Sequence, residues 1–262
     1  MFAPVPPVPT PAPYVGGKRL LAKRLALRIA EIPHRTYVEP FVGMGGVFLR
    51  RSLKPECEVM NDANGDVACL FRILQRHFEA FCDMLKWQLT SREHFERLKS
   101  TPAESLTDLE RAARFLYLQR ISFGGKVGSR SFGTNHRVAR FDVPRLVPIL
   151  EQIHARLAGV WIEHLDFEAV IRKWDHPDTL FYLDPPYWAC EHYYVASLFG
   201  PADHARLAAC LRGVNGRWIM SMNDVPEIRA LYPDARIETT DLTYSVGSTS
   251  PKSVSEIIVS GG

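Results

Sequence analysis

The sequence predicts an α/β fold: an open, Rossmann-like sheet with a mainly helical segment inserted into it. Runs of β-branched and aromatic residues alternate with helical spacing at residues 36–74 and again from residue 161 onward, as strands and helices do in such sheets. Between these regions, residues 78–157 show helical periodicity and few strand signals. The chain of 262 residues is long enough for one domain with a large insertion, or for two domains.

The composition predicts an ordinary globular protein of the cytoplasm. Hydrophobic residues make up 46% and charged residues 23% of the chain, and the net charge of +3 is too small to indicate a nucleic-acid partner by itself. The five cysteines are odd in number and lack a C-x-x-C spacing, which favours reduced thiols over disulfides or a zinc site. No apolar run approaches the roughly 18 residues of a membrane span, and a signal peptide is not evident. We expect neither a membrane nor a metal.

The first thirteen residues contain six prolines. Such a composition favours extended polyproline conformations and provides few side chains for a core. We therefore predict that residues 1–13 form a leader, either disordered or lying on the surface.

Residues 14–18, Tyr-Val-Gly-Gly-Lys, predict a tight turn before a helix. The helical spacing is carried by Leu21, Leu25, Ile29 and Ile32. Lys18 would lie near the first turn of this helix, where a positive charge gains nothing from the helix dipole, so it is a candidate ligand-binding residue. Alone, a glycine turn before an amphipathic helix is usually only a turn.

Residues 36–41 predict the first strand, which is followed by a glycine loop at 42–46 and a helix from about Val47. A strand, glycine loop and helix in this order bring the backbone close to a nucleotide-like ligand. The second strand, at 57–60, precedes Asp62, and Asp62 follows Gly43 by 19 residues. That spacing is close to the roughly 20 residues expected for an acid that binds ribose hydroxyls.

The glycine loop reads G-x-G-G and lacks the last glycine of the dinucleotide fingerprint, which disfavours a nicotinamide dehydrogenase. The pattern instead predicts a cofactor that contains adenosine. Asp62 could alternatively be the N-cap of the next helix.

Residues 111–140 form a basic stretch without a single Asp or Glu. Its cations are Arg111, Arg114, Arg120, Lys126, Arg130, Arg137 and Arg140. Phe123, Phe132 and Asn135 are interleaved with them, and this mixture suits phosphates and base edges better than a merely solvated face. We expect DNA or RNA to contact Arg120, Lys126, Arg130, Asn135 and Arg137.

Residues 161–164 resume the α/β alternation, and Asp166 and Phe167 follow this strand. Phe167 could line an adenine pocket or be a core residue. Later, a helix is predicted from about residue 203 to 212, and strands at 218–222, 235–242 and 255–259, the last two favouring an antiparallel hairpin. The intervening aromatic residues Trp188, His192, Tyr193 and Tyr194 could flank a flat substrate or simply pack.

The apolar run at 179–183 predicts a buried strand that stops at Asp184, Pro185, Pro186 and Tyr187. Ligands of open α/β sheets bind at the carboxyl ends of the strands. Proline fixes φ and lacks an N–H but keeps its carbonyl, so Asp184 and its neighbour offer two rigid acceptors for the hydrogens of an exocyclic amine. Tyr187 could stack on the attached ring. The alternative is a turn with a capping Asp and a core Tyr.

Together these motifs resemble the Dam-type DNA adenine-N6 methyltransferases. Their order along the chain, which is cofactor motif, recognition insertion and catalytic motif, resembles the alpha arrangement of that family. The matching segments are Y-V-G-G-K, E-P-F-V-G-M-G-G, N-D-A-N, the acid-Phe pair at 166 and 167, D-P-P-Y and Y-Y-V-A-S-L-F. The resemblance implies a Rossmann-like methyltransferase sheet over residues 14–76 and 158–262, with a helical target-recognition domain inserted at 77–157. It also implies S-adenosylmethionine as cofactor, double-stranded DNA as partner, a possible cognate restriction endonuclease, and a monomer or weak dimer.

By this resemblance the catalytic residues are Asp184, Pro185, Pro186 and Tyr187. The implied cofactor-binding residues are Tyr14, Lys18, Phe41, Gly43, Gly45, Asp62, Asp166, Phe167 and Asp184. Many members have Trp at the position of Tyr14, and the loop at 124–135 lacks the Arg-Tyr-Asn found in GATC-methylating members, so the target sequence stays open.

The expected reaction is site-specific transfer of a methyl group to N6 of an adenine flipped out of the duplex. Rival interpretations are cytosine-N4 methylation, an amino-methyltransferase acting on RNA or protein glutamine, and an inactive DNA-binding relative. The chain contains no Pro-Cys, which argues against cytosine-C5 methylation.

Overall fold

The computed structural model describes residues 2–16, 18, 21–122, 125, 127, 130–133, 140–194, 197–244 and 252–262, without the side chains of 241–244 and 252–254. Three residues predicted to bind nucleic acid, Lys126, Asn135 and Arg137, lie outside this described part.

The strands are β1 Ala3–Pro4, β2 Thr36–Glu39, β3 Leu53–Lys54, β4 Cys57–Asn61, β5 Trp161–Glu163, β6 Thr179–Leu183, β7 Arg217–Asn223, β8 Arg236–Tyr244 and β9 Lys252–Gly261. The helices are α1 Ala22–Glu31, α2 Gly65–Arg76, α3 Phe78–Leu85, α4 Arg92–Ser100, α5 Asp108–Ile121, α6 Val143–Arg156, α7 Phe167–Trp174, α8 Pro201–Leu211 and α9 Pro226–Leu231. Among the described helices, none is long and apolar enough to cross a membrane.

In the described residues, seven strands form one sheet in the order β5-β4-β2-β6-β7-β9-β8. The first five are mutually parallel, while β9 runs antiparallel to both β7 and β8. The predicted α/β fold and the predicted C-terminal hairpin are confirmed. Because β2, β4 and β6 are parallel neighbours, the loops that follow them meet at one edge of the sheet.

The core has two faces, one on each side of the sheet. On one face, α5 and α6 contribute Phe115 and Leu150 to the same hydrophobic cluster as Tyr37 of β2 and Leu180 of β6. The other face buries side chains of α7, α8 and α9 against the sheet. Residues 77–157 are mainly helical in their described part, but their helices share a core with the sheet, so a separate recognition domain stays a prediction.

The N-terminal segment is part of the fold, and the predicted leader is wrong in this respect. β1 pairs with β3, and the side chains of Val8 and Ala12 are buried. The intervening valines supply the N–H groups that proline lacks: Val8 N donates to Leu49 O at 2.7 Å. Proline carbonyls in turn accept from α5, Pro11 O from Arg120 at 2.7 Å.

The helix predicted from about Val47 is also wrong beyond its first turn. Turns at residues 43–47 lead into a single 3-10 turn, Phe48–Arg50, and Arg51 is already extended. Arg51 is buried, forms an ion pair with Glu58 of β4 and lies over the ring of Tyr37. This buried pair fixes the chain at Arg51 and directs it into β3, which ends the helix after one turn.

Candidate active site

A cavity of about 650 Å³ opens at the carboxyl edge of the central strands. Its walls come from the loops after β2, β4 and β6, from residues 10, 12–16 and 18, and from Phe167 and Phe199. The predicted cofactor loop, the ribose-binding acid and the catalytic corner therefore face one space.

Asp62 stands at one end of this cavity, held by two backbone N–H groups. Its Oδ2 accepts from Gly43 N at 2.8 Å and its Oδ1 from Asn64 N at 2.9 Å. Burial raises the pKa of Asp62 to about 6, against the opposing effect of these two bonds. The N-cap of α2 is Asn64, whose side chain accepts from Asp66 N, so the alternative role of Asp62 as N-cap is wrong.

The two glycines of the loop differ in what they contact. Gly43 has φ +50°, and a Cβ there would lie 3.0 Å from the ring of Tyr14, which packs directly on the glycine. Gly45 has φ +72°, and a Cβ there would lie 2.9 Å from Leu49. Gly43 and Tyr14 line the cavity, whereas Gly45 shapes the turn behind its wall.

Three phenylalanines form an apolar corner of the cavity. Phe41 lies 5.5 Å from Phe167 and 5.7 Å from Phe199 between ring centroids. Phe167 thus both lines the cavity and packs in the core, which joins the two roles left open above. Phe199 is the last residue of the Y-Y-V-A-S-L-F segment quoted above, but the sequence analysis assigned it no role in the site.

Asp166 does not line this cavity. It caps α7 by accepting from Glu168 N at 2.9 Å, and it pairs with Arg206 at 2.8 Å, whose guanidinium covers the ring of Phe167. A helix-capping carboxylate with a guanidinium partner at the surface is satisfied without a ligand. The structure therefore does not support the predicted cofactor contact of Asp166.

Asp184 stands at the other end of the cavity, immediately after β6. Its Oδ1 lies 2.7 Å from Nζ of Lys18 and accepts from Oγ of Ser221 at 3.2 Å. Ser221 in turn lies 2.8 Å from the hydroxyl of Tyr182. Burial raises the pKa of Asp184 to about 6, although the charge and hydrogen bond of Lys18 lower it.

Tyr187 is tied to the same lysine. Lys18 Nζ donates to the Tyr187 hydroxyl at 2.6 Å and lies 4.2 Å from the ring centroid. The hydroxyl donates to Oε2 of Glu256 at 2.7 Å. Pro185 and Pro186 are buried beneath this arrangement, and Pro186 lines the cavity.

Glu39 is a third acid of the cavity wall, at the end of β2. It is buried and accepts a hydrogen bond from Tyr37 at 2.6 Å. Burial raises its pKa to about 8, opposed by the Tyr37 bond and supported by the charge of Asp184. Sequence reasoning missed Glu39, although a strand that ends in Glu-Pro was a usable signal. The sequence carries no local signal for Ser221 and Glu256, because both lie on strands that are distant from the Asp184 motif along the chain.

Several arginines of the basic stretch turn toward the protein. Arg111 donates to Asp66 at 2.6 Å, Arg114 to Leu98 O at 2.6 Å, and Arg140 to Ser122 O at 3.2 Å. Arg120 lines the cavity while it donates to Pro11 O. Arg130 lies over the ring of Phe115 at 5.2 Å, and burial lowers its pKa to about 10.

The family of this chain follows from comparison with known proteins. The family model of the D12 class N6 adenine-specific DNA methyltransferases matches residues 14–246. The chain belongs to this family. The predicted activity, adenine-specific DNA methylation, is thereby confirmed, and the resemblance stated from the motifs was correct.

Individual relatives of this methyltransferase share about a quarter of its residues. It is 27% identical to the type II methyltransferase M1.LlaDCHI of Lactococcus lactis over 94% of this chain and 93% of that protein. It is 24% identical to the DNA adenine methylase of Haemophilus influenzae over 83% of this chain and 80% of that one. The DNA N-6-adenine-methyltransferase of phage P1 is 25% identical over 85% of this chain but only 31% of its own length.

No group of three or more metal-ligating side chains occurs within the described part of this methyltransferase.

Proposed function

We propose that this methyltransferase moves the methyl group of S-adenosylmethionine to N6 of an adenine flipped out of double-stranded DNA, at a specific sequence. The observation that carries the proposal is the environment of Asp184. The contacts of its carboxylate within the described residues are made to Oδ1, by Lys18 and Ser221, so Oδ2 can accept a hydrogen of the target amine. The same cavity offers a cofactor site at the Asp62 end.

The residues present fit the cofactor. A volume of about 650 Å³ is within the usual range of small-molecule sites. Each oxygen of Asp62 uses one lone pair on a backbone N–H and keeps another for a ribose hydroxyl. Phe41, Phe167 and Phe199 suit the adenine ring, and Glu39 in its ionised form suits a positive charge. S-adenosylmethionine, when bound, supplies an electrophilic methyl group on a sulfonium.

The chain's own residues activate the target. The lone pair of N6 is delocalised into the adenine ring, which makes the amine a poor nucleophile. Asp184 Oδ2 and the carbonyl of Pro185, both acceptors at a corner with fixed φ, would grip the two N6 hydrogens and favour a tetrahedral nitrogen. Asp184 would then stabilise the positive charge that develops on N6 and take up its proton.

Base flipping costs a few kcal/mol of unstacking. Lys18 holds the Tyr187 ring at its hydroxyl end, and the flipped base would stack on a face of this ring. Stacking of a base on an aromatic side chain contributes about 1–3 kcal/mol, which offsets much of that cost.

Contacts of Arg120, Lys126, Arg130, Asn135 and Arg137 with the duplex stay a prediction. Membership of a DNA methyltransferase family supports DNA as the partner of this basic stretch. The inward bonds of Arg120 suggest that it acts beside the cavity rather than on an open phosphate-binding surface. A cognate endonuclease is proposed on the type II name of the Lactococcus lactis relative, and a monomer or weak dimer on the resemblance to the family.

The decisive experiment is transfer of labelled methyl from S-adenosylmethionine to plasmid that carries no methylation, followed by modification-sensitive single-molecule sequencing. Wild-type protein should label one adenine-containing motif. Asp184→Ala should lower kcat by at least roughly 10²–10³, since it removes a positioned electrostatic group, with DNA and cofactor affinity within a few-fold.

Asp178→Ala is the matched control. Asp178 precedes the same strand but is exposed, so its replacement should leave transfer unchanged. Label on RNA or protein instead of DNA, or wild-type turnover by Asp184→Ala, would overturn the proposal.

A further inference from the structure

A buried acid from the C-terminal hairpin reaches the catalytic corner. Glu256 lies on β9 opposite Asn223 of β7, and its side chain is 2% exposed. Its Oε2 accepts the hydrogen of the Tyr187 hydroxyl at 2.7 Å. The family model ends at residue 246, so this contact comes from a part of the chain beyond the matched segment.

The directions of these hydrogen bonds follow from the donors available. An ammonium has three donors and no acceptor, so the Tyr187 hydroxyl must accept from Lys18. Its own hydrogen then has to go elsewhere, and the carboxylate of Glu256 takes it. In its other described contacts, Lys18 donates to Oδ1 of Asp184 and to the carbonyl oxygen of Gly16. Lys18 thus donates in two directions, to Asp184 on one side and to Tyr187 on the other, and Tyr187 donates onward to Glu256.

We propose that Glu256 is a positioning residue for methyl transfer: by fixing the Tyr187 hydroxyl it orients both the ring that receives the base and the lysine that restrains Asp184. The inference rests on the proposed function of the Asp184 corner and adds to it a residue that does not touch the substrate. Burial adds support, because a buried carboxylate needs hydrogen-bond donors and the Tyr187 hydroxyl is one of them.

The charge of Glu256 acts on Asp184 as well. One ammonium, Lys18, lies among several acids, and the negative charge of Glu256 raises the pKa of Asp184 while Lys18 and the hydrogen bond of Ser221 lower it. The groups that face this corner are Lys18 from the N-terminal segment, Glu39 from β2, Tyr182 from β6, Ser221 from β7, Glu256 from β9, and Tyr187 and Tyr194 from the loop after β6. Removal of Glu256 and removal of Ser221 should therefore shift the Asp184 titration in opposite directions.

The test measures kcat/KM for DNA against pH at saturating cofactor. Glu256→Gln keeps the size and an acceptor for Tyr187 but loses the charge, so the acid limb should move to lower pH. Ser221→Ala should move that limb to higher pH. Glu238→Gln, which removes a half-buried acid of the neighbouring strand β8 that pairs with Arg28, should leave the profile unchanged. A purely structural role of Glu256 would not move the limb, and an unmoved limb in Glu256→Gln would overturn the inference.

A double-mutant cycle tests the route through Tyr187. Glu256→Ala should lower kcat roughly ten-fold, since it removes a charge-assisted hydrogen bond, with cofactor affinity unchanged. In a Tyr187→Phe background, which lacks the hydroxyl, the same substitution should have little further effect. Equal losses in both backgrounds would contradict the route. If Asp184→Ala stays active, the proposed function itself fails; if Asp184→Ala is inactive and the Glu256 variants match wild type, only this inference fails.

Discussion

The two ends of the cavity hold their carboxylates in different ways. Asp62 and Asp184 each follow a parallel strand that neighbours β2, and burial raises the pKa of both to about 6. Asp62 receives its hydrogen bonds from the backbone, at Gly43 and Asn64, whereas Asp184 receives them from the side chains of Lys18 and Ser221. Similar burial thus comes with two kinds of support.

The difference matches the two proposed tasks. Backbone donors are fixed by the fold and cannot rearrange without moving the loop, so Asp62 is suited to holding a cofactor in one position. Side-chain donors can change partners as charge develops and a proton moves, so Asp184 is suited to a reacting amine. Substitutions at the two ends should therefore change different kinetic constants.

Asp62→Ala should give the largest loss in cofactor binding. The carboxylate offers two hydrogen bonds to ribose, each involving a charged group, and their loss should weaken binding of S-adenosylmethionine on the order of 100-fold. At saturating cofactor kcat should stay within a few-fold of wild type. Titration calorimetry and steady-state kinetics measure both quantities.

Asp166→Ala is the matched control, because Asp166 is an acid that the sequence also assigned to the cofactor but that lies outside the cavity lining. Its affinity should match that of wild type. A large loss of kcat in Asp62→Ala at saturating cofactor would break the distinction between a binding end and a reacting end.

The pH profile should show a smaller effect, and this effect should fall on methyl transfer at the Asp184 end rather than on cofactor binding. Transfer needs the ionised form of Asp184, whose pKa is about 6, so kcat/KM for DNA at saturating cofactor should fall as the pH decreases through 6. At pH 5 it should be about ten-fold below its plateau, because one pH unit below the pKa about a tenth of the groups are ionised. Glu39, with a pKa of about 8, titrates on the alkaline side and is separable.

Cofactor affinity should change less over this range, since a protonated Asp62 still offers a hydrogen bond to a hydroxyl. Stopped assays at several pH values, with affinity measured in parallel, test this. A profile that is flat down to pH 5 would contradict a catalytic role for the ionised Asp184.

The sequence predicted those parts of the site that lie in continuous motifs at strand ends. Asp62 and Asp184 were found because each follows an apolar run directly, and parallel strands bring such positions to one edge. Ser221 and Glu256 were not found, because their place depends on the register of β7 beside β6 and of β9 beside β7. No local pattern encodes that register.

The prediction of a leader at residues 1–13 was wrong for a different reason. Its proline content correctly indicates extended backbone, but the burial of Val8 and Ala12 depends on an edge offered by β3 and on carbonyl acceptance by α5, which are distant in sequence. The basic stretch shows the same limit, since its composition does not reveal that Arg111 and Arg114 bind partners within the protein.

The smallest predicted effect tests the backbone side of the comparison directly. Gly43 donates its N–H to Asp62 and carries the Tyr14 ring, so Gly43→Ala should displace both and weaken cofactor binding roughly five-fold, as moderate overpacking does. Gly159→Ala is the control: its φ of +77° imposes similar strain, but a Cβ there meets nothing within 4 Å. Both variants should lose about 1–2 kcal/mol of stability, measured by thermal unfolding, and only Gly43→Ala should lose affinity.

Because Tyr14 causes the crowding, Gly43→Ala in a Tyr14→Ala background should cost no affinity beyond that of Tyr14→Ala. A full five-fold loss there would mean that the displaced N–H, and not the ring, controls the position of Asp62.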